Sequence, residues 1–541
     1  MDREALVDSL RKPGDFDLLV IGGGATGCGI ALDAASRGLK VALAERGDFG
    51  GGTSGRSTKL VHGGVRYLEA ALLGLDRVQF NLVRDGLHER GILLRIAPHL
   101  CHRVSLVTPL YRLLEVPYVW AGLKLYDLLA GRLGLGPSRF LGRRELLRRF
   151  PMVRSNELKG GVLYYDGQFN DARMNLALAQ TACSQGAALA NYLEVESLIS
   201  ESGRVCGARV RDQIGGDSWE IRARVVVNAC GPWSDQVRRL DDPAAPALLQ
   251  VSSGSHLVLP ARFAPAEAGI TIPKTEDGRV LFVLPWLGGC LVGTTDEPAT
   301  VTDHPVVAGS DIEYLLRHLA RYFDLQVQRS DIRAAWSGLR PLVRDPAASD
   351  TARLARDHVV TAAPSGLITI VGGKWTTYRK MAQDTVDFAL KSGRLGPAGP
   401  CRTETLPLWG AAGYRGAADE AGRLAAEHGL EPDTALHFAR SYGSRAAEVA
   451  RLCRGDLARR LAADHPYLRG EVLYAVRQEM AQRVSDVLAR RLPLALLDSR
   501  AARVAAPAIL ELMAGELGWD KVRCQEELRL SEPWLADPPL V

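Results

Sequence analysis

The first apolar run of the chain, Phe16-Asp17-Leu18-Leu19-Val20-Ile21, carries one charged position and stops at three glycines. A short run of this kind suits a strand of a parallel sheet, buried on both faces. After Gly22-Gly23-Gly24-Ala25-Thr26-Gly27, residues Cys28 to Arg37 are mostly small or apolar and read as a helix that Gly38 stops. Lys40 to Glu45 returns to strand text, so the N-terminus reads as a βαβ unit. Two further strand-like runs follow. Ala223 to Ala229 ends in Cys230-Gly231-Pro232-Trp233-Ser234-Asp235, and Leu367 to Val371 runs into Gly372-Gly373-Lys374 and then a helix. Strands ending in glycine at the start, middle and far end predict one nucleotide-binding domain built from residues 1–80, 156–245 and 346–395. The stretches 81–155 and 246–345 are expected to form a substrate, or cap, domain over it. From about residue 400 the text changes to Ala/Leu/Arg/Glu helices, for example Arg477 to Leu492, and 400–541 reads as a separate helical domain.

Length agrees with this partition, since 541 residues suggest roughly three to four domains. Hydrophobic residues at 47% and charged residues at 24% describe a chain able to bury a large core. The net charge of +5 is small, and the basic residues are spread out, which argues against a nucleic-acid partner. Nine cysteines lie far apart, with neither a C-x-x-C pair nor zinc spacing, so reduced thiols and no metal are expected. Met1 to Asp17 has no apolar signal core, and no uncharged run reaches the roughly 18 residues of a spanning helix. An intracellular catalytic body follows as the expectation.

Gly22, Gly24 and Gly27 occupy the G-x-G-x-x-G positions. The first allows a tight turn, the second close approach of a pyrophosphate, and the third close packing of helix on strand. The helix start at Ala25 and Thr26 offers N–H groups and a partial positive charge to phosphates. Glu45 ends the second strand at the distance from the glycines where an acid accepts hydrogen bonds from ribose hydroxyls. This unit alone serves NAD or FAD equally. The segment Gly372-Gly373-Lys374-Trp375-Thr376-Thr377 separates them. A second helix N-terminus there can face the pyrimidine edge of a flavin, where negative charge develops on reduction. The cofactor expected is therefore FAD, held non-covalently.

Thr53-Ser54-Gly55-Arg56-Ser57-Thr58-Lys59-Leu60-Val61-His62-Gly63-Gly64-Val65-Arg66-Tyr67-Leu68 closely resembles the signature of the FAD-dependent glycerol-3-phosphate dehydrogenases. So do Gly254-Ser255-His256, Gly338-Leu339-Arg340-Pro341-Leu342, Arg356-Asp357-His358 and Gly372 through Arg379, in the family's order across most of the chain. The resemblance implies an α/β fold: an FAD-binding Rossmann-like domain of the glutathione-reductase/amino-acid-oxidase type, an inserted cap domain and a C-terminal all-α domain. Gly55 departs from the serine expected there. No EF-hand loop of the kind carried by animal mitochondrial members occurs, and the short N-terminus looks like the aerobic bacterial form.

The substrate so implied is sn-glycerol 3-phosphate, whose oxidation to dihydroxyacetone phosphate moves hydride to flavin N5 while a base takes the hydroxyl proton. A phosphate dianion calls for arginine forks. Arg66, Arg340 and Arg356 lie in matched motifs and are the expected clamps, with Tyr67 as a hydroxyl donor and Lys374 reaching flavin or substrate. His62 and His256 are the candidate bases, and the sequence does not choose between them. Arg46, Thr53, Ser54, Ser57, Thr58, Lys59, Leu60, His62, Gly63 and Gly64 are expected along the FAD, with Val195, Ala229, Gly231 and Trp233 beside its adenosine half. Gly338, Gly373, Lys374, Trp375, Thr376 and Thr377 are expected at the flavin end. Trp233 reads equally well as a core aromatic. Oxygen in place of quinone as acceptor, or an amino-acid or 2-hydroxy-acid substrate, remains an alternative.

Leu113 to Leu135 is apolar with Tyr118, Trp120 and Tyr126, and seven arginines follow between 132 and 154 with Glu145 the only acid. Apolar and aromatic residues beside a basic cluster suit an interfacial, non-spanning anchor. The region 113–154, with Trp120 and Leu123 facing outward, is expected to meet lipid at the cytoplasmic face of the inner membrane, near the membrane quinone the resemblance implies. Packing within the domain or a homodimer contact is the alternative.

Overall fold

In the computed structural model, which describes residues 1–64, 77–265, 268–273, 275–276, 278–344 and 358–538, the three glycine-ended runs lie in one sheet. Strand β1 (Phe16–Ile21) is central, parallel to β2 (Val41–Ala44) on one side and to Ser218–Asn228 on the other. Ile368–Gly372 continues the parallel order, and His358–Ala362 closes that edge antiparallel. Leu18, Leu19 and Val20 are completely buried, each worth about 1.5–3 kcal/mol on burial. Helix α1 (Ala25–Ser36) has no polar stripe because it is covered on every side. A side chain at Gly29 would meet the Tyr378 ring at 2.9 Å, so the small residues of this helix are what let the helix Tyr378–Lys391 pack on it. Its one buried acid, Asp33, pairs with Arg37 one turn on.

A second, mostly antiparallel sheet of ten strands stands beside the first. Two of its strands cross the boundaries expected from sequence. Leu60–Val61 and Gly160–Phe169 pair with each other there, although both fall in stretches assigned to the nucleotide-binding domain. Gly160–Phe169 belongs to the second sheet through its long ladder with Cys101–Leu110. At one end of the sheet, β3 (Leu249–Pro260) pairs with β4 (Ala334–Val343) in a register that sets His256 opposite Trp336, Gly254 opposite Gly338 and Ser252 opposite Arg340.

The C-terminal region is helical, but Arg477–Leu492 is not one helix. Helix Arg469–Glu479 ends at Met480, which takes the left-handed φ of 54°. The chain restarts at Val484 and finishes in a wide turn over Val487–Arg491. That break brings Arg490 and Arg491 together onto Asp48, with Arg490 Nε 2.5 Å from its carboxylate. Tyr192 donates to Asp486 at 2.6 Å, and Arg173 pairs with Glu479 at 2.8 Å. Burial alone pushes Asp48 upward, but Arg491 and Arg490 outweigh it and hold this carboxylate below its ordinary range. The helical region is thereby fastened to the cofactor domain by buried charge. Truncating one partner of such a pair costs about 3–5 kcal/mol.

Candidate functional site

Both sheets and the helical region wall one large cavity of about 1600 Å³. Ligand pockets usually hold roughly 300–1,000 Å³, so there is room for a dinucleotide and a small substrate. The turn at its N-terminal corner is held by its glycines. Gly22 takes φ +108°, and a side chain at Gly27 would sit 1.8 Å from the Gly22 carbonyl oxygen. Gly27 therefore packs behind the cavity, while Gly22, Gly24, Ala25 and Thr26 line it. Glu45 lines it too, but both its oxygens already accept backbone N–H donors, from Gly23 and, at 2.7 Å, from Gly47. Burial raises its carboxyl pKa against those donors. The acid fixes the glycine turn as well as lining the cavity, a role the sequence reading did not foresee.

The signature loop crosses the cavity on a set of anchors. Ser54 Oγ accepts from Ala25 N at 2.9 Å, and Trp375 Nε1 donates to the Ser54 carbonyl at 2.8 Å. Thr53 Oγ1 donates to the Leu339 carbonyl at 2.6 Å. Ser57 donates through N and Oγ to Asp171, at 2.9 and 2.7 Å. Thr53, Ser54, Ser57, Thr58, Leu60, His62 and Gly64 line the cavity. Lys59 and Gly63 do not. Lys59 is 1% exposed, with Nζ 2.6 Å from Asp171 and 2.9 Å from the Gly55 carbonyl. Its ammonium also lies 4.8 Å from the Trp336 ring centre, so it holds the loop from behind instead of meeting the cofactor. A side chain at Gly63 would collide with Leu87, because this glycine packs on the core. Thr377 likewise turns away from the cavity, its hydroxyl donating to the Lys374 carbonyl at 3.2 Å. Asp171, which no sequence motif singled out, organises the loop.

Gly372 and Gly373 take φ of +80° and +75° at the end of Ile368–Gly372, and with Lys374, Trp375 and Thr376 they form the opposite wall. Val195, Ala229, Gly231 and Trp233 line the side expected for adenosine, where Arg46 spans 5.4 Å to the Trp233 ring and pairs with Asp303 at 2.5 Å. These features fit FAD: a glycine cradle at a helix start, a second left-handed glycine pair, and space for the whole group.

At the remaining end, β3 and β4 turn one face toward the cavity. Opposed residues of paired strands share a face, so His256, Trp336, Ser252 and Arg340 stand together with Gly254 and Gly338 between them. The missing side chains leave a floor, and a Cβ on Gly254 would lie 2.2 Å from Arg340 Nη2. Arg340 bridges Asp296 (2.9 Å), Thr294 Oγ1 (3.0 Å) and the Thr295 and Ser253 carbonyls. His256 stacks on Trp336 at 4.1 Å, and its Nε2 is 3.0 Å from Thr58 Oγ1. Burial, then the charges of Arg340 and Lys59, push its pKa well below the ordinary histidine value. It is a neutral imidazole at pH 7. His62 lines the same end, 6.3 Å from the Phe282 ring, and its backbone N donates to Thr376 Oγ1. Arg66, Tyr67 and Arg356 lie outside the described residues.

Sequence reasoning missed Arg56, Arg483, Ser485, Arg490 and Trp534, which also line the cavity. All but Arg56 come from the region read as a separate helical domain, and nothing local in the sequence ties that region to a cofactor cradle at the far end of the chain. Among the described residues no helix is long and apolar enough to cross a membrane, and no group of side chains is placed to hold a metal.

A family model described as FAD dependent oxidoreductase matches residues 17–379, and one described as the C-terminal domain of alpha-glycerophosphate oxidase matches residues 401–524. The mitochondrial glycerol-3-phosphate dehydrogenase of Mus musculus is 48% identical over 547 residues, covering 98% of this chain and 75% of its own. The X-ray structure of the glycerol-3-phosphate dehydrogenase from Bacillus halodurans, complexed with FAD, has a TM-score of 0.80 at 31% identity and covers 100% of this chain and 98% of its own. The L-alpha-glycerophosphate oxidase of Mycoplasma pneumoniae, at 15% identity and TM-score 0.55 over 72% of this chain and 96% of its own, shares the fold.

Proposed function

The chain belongs to the family of FAD-dependent glycerol-3-phosphate dehydrogenases, and we propose that it oxidises sn-glycerol 3-phosphate to dihydroxyacetone phosphate and passes the electrons to a membrane quinone. Bound FAD supplies the two-electron acceptor. The observation that carries the assignment of roles is the shared face of β3 and β4, where a fixed guanidinium and a neutral imidazole flank a floor of glycine.

Arg340, whose two Nη groups are held by Ser253, Asp296, Thr294 and Thr295, places a fixed positive charge beside the substrate position, and it attracts the anionic oxygens of the substrate. His256 is the base. A neutral imidazole is ready to accept the hydroxyl proton, and Thr58 with the Trp336 ring fixes its orientation. Its depressed pKa makes it weak before substrate arrives. A phosphate dianion nearby offsets the Arg340 and Lys59 charges and strengthens it as substrate binds. Lys374 adds positive charge on the flavin side.

Helix α2 (Glu115–Ala130) supports attachment to lipid. Leu114 and Leu128 are 89% and 75% exposed, and Tyr118 and Trp120 are also open to solvent. Arg132, Arg139, Arg143, Arg144, Arg148 and Arg154 are exposed nearby in the chain. Leu123 is the correction: it is buried against the core with Tyr126 and is not part of an outer face. Tyr118, Val119 and Gly122 on the same helix line the cavity, so one element joins the proposed lipid face to the cofactor space.

The test is turnover with a soluble quinone analogue. One dihydroxyacetone phosphate per quinol, without hydrogen peroxide, is expected. His256→Asn should lose about 100-fold or more in kcat, the usual contribution of a general base, with FAD content unchanged. Peroxide in step with product would replace quinone by oxygen, and a fully active His256→Asn would remove the base assignment.

A further inference from the structure

Eight lysine and arginine side chains of the described residues are buried. Seven of them face a carboxylate: Lys59 has Asp171, Arg90 has Asp166, Arg379 has Glu89, and the others are paired likewise. Arg56 is the exception. It is 8% exposed and lines the cavity, and its hydrogen-bond partner is a neutral one, the Asp303 carbonyl, 3.0 Å from Nη1. The Asp303 carboxylate is engaged with Arg46 instead. The Trp534 ring lies 4.9 Å from the Arg56 guanidinium carbon, a cation–π contact that compensates a charge only in part. Burial, and then the neighbouring Arg490, bring its pKa down to about 10 against the pull of Asp303.

A buried cation without an anion is costly by itself, and the cost is recovered when a ligand brings the anion. The backbone around Arg56 is fixed on both sides. Ser54, two residues before it, accepts from the first N–H of helix α1, and Ser57, the next residue, is tied to Asp171. The guanidinium is thus carried on the loop that caps the phosphate-cradling helix, and it opens on the same cavity. We infer that Arg56 binds a phosphoryl group in this cavity, and that the group is the diphosphate of FAD. The inference rests on FAD as the cofactor and is independent of the substrate assignment. Trp534 stacks on the guanidinium from helix Lys521–Leu535, so the C-terminal region takes part in holding the cofactor.

Arg56→Met tests this in the full-length chain. Release of FAD from the holoenzyme is followed by flavin fluorescence, and the stripped protein is titrated with FAD and with riboflavin. A charge-assisted contact of this kind predicts FAD binding weaker by about 10- to 100-fold, with riboflavin, which lacks the diphosphate, bound equally by both proteins. Arg56→Lys should recover part of the loss. The stripped Arg56→Met protein should also melt above the stripped wild type, because an uncompensated charge has been removed, while the stabilisation gained on adding FAD should shrink. A purely structural arginine gives the reverse: a lower melting temperature without FAD and an unchanged gain with it, which would overturn the inference. So would equal weakening of FAD and riboflavin. Unchanged FAD affinity with a raised KM for glycerol 3-phosphate would move the contact to the substrate's phosphate, and the diphosphate assignment would fail while the proposed activity stood.

Discussion

Replacing Asp171 by asparagine should loosen the signature loop more than any single change in the loop itself. Asp171 is 1% exposed and accepts from Lys59 Nζ, Ser57 N, Ser57 Oγ and its own helix at Ala172 N. Asparagine keeps a carbonyl oxygen for Ser57 and removes the charge. Lys59 is then left with the Gly55 carbonyl and the faces of Trp336 and Trp286, at 4.8 and 5.4 Å. Breaking a buried pair costs about 3–5 kcal/mol, and a cation–π contact returns about 1 kcal/mol of it. Lys59 also holds φ at +62°, a conformation worth about 1–2 kcal/mol of strain away from glycine, so the loop has little reserve. A net loss of about 2–4 kcal/mol weakens FAD binding by roughly 30- to 700-fold if the loop must be ordered to bind. The assay is a double-mutant cycle in FAD affinity with Lys59→Met, Asp171→Asn and both together. With no unpaired charge left behind, the double variant should recover at least about 1.5 kcal/mol of the summed losses, a usual coupling for residues in direct contact. The pH dependence carries its own sign. Burial already lowers the Lys59 pKa from 10.5, and losing Asp171 lowers it further. Between that lowered pKa and the ordinary lysine value the unfolded chain holds the extra proton, so Asp171→Asn should regain stability as pH rises toward 10. Additive single losses, or an Asp171→Asn protein that keeps its FAD affinity within threefold, would refute the reasoning.

Arg340→Ala should lower kcat/KM for glycerol 3-phosphate by more than about 30-fold, the lower end of a loss of about 2–5 kcal/mol, with flavin content unchanged. Arg340→Lys should recover only part, having charge without the fork, and loss of flavin in either variant would place this arginine on the cofactor. Leu114→Glu, Trp120→Glu and Leu128→Glu combined should move the protein from membranes to the soluble fraction with dye-linked turnover retained, whereas Leu123→Glu should damage folding; unchanged fractionation of the triple variant would end the lipid proposal. His99 is 3% exposed, and burial, then Arg173, lowers its pKa to about 3. The unfolded chain takes up this proton as pH falls through about 6.5, so about 2 kcal/mol of stability is lost by pH 5. His99→Gln should flatten the fall in melting temperature between pH 7 and 5, and an unchanged slope would contradict the buried neutral histidine.

What the sequence made legible was local. A strand, three glycines at fixed spacing, a helix of small residues and an acid at the next strand end are written in one unbroken stretch, and Leu18, Gly22, Gly27 and Glu45 stand where that reading places them. The direction of side chains in irregular backbone was not legible. Lys59 sits among cavity-lining neighbours, yet its left-handed φ turns the ammonium backward to Asp171, an acid remote from it in the chain. In α2, Trp120 and Leu123 are close together on a helix apolar nearly all round, so periodicity does not say which side is core and which is open. The break at Met480 brings Arg490 and Arg491 onto Asp48, near the opposite end of the sequence, a contact that no local pattern announces. Arg56 was legible only as a member of a motif, because its lack of a counter-ion is a property of the folded interior.

The central claim, that this cavity oxidises glycerol 3-phosphate on FAD, is tested most directly by mixing the oxidised holoenzyme with substrate in the absence of oxygen and any acceptor. Glycerol 3-phosphate should bleach the flavin absorbance stoichiometrically and release one dihydroxyacetone phosphate per FAD. Glycerol, glycine and 2-hydroxy acids should leave the spectrum unchanged on that timescale. Bleaching by glycine or a 2-hydroxy acid, or an unaltered flavin in the presence of glycerol 3-phosphate, would contradict the account.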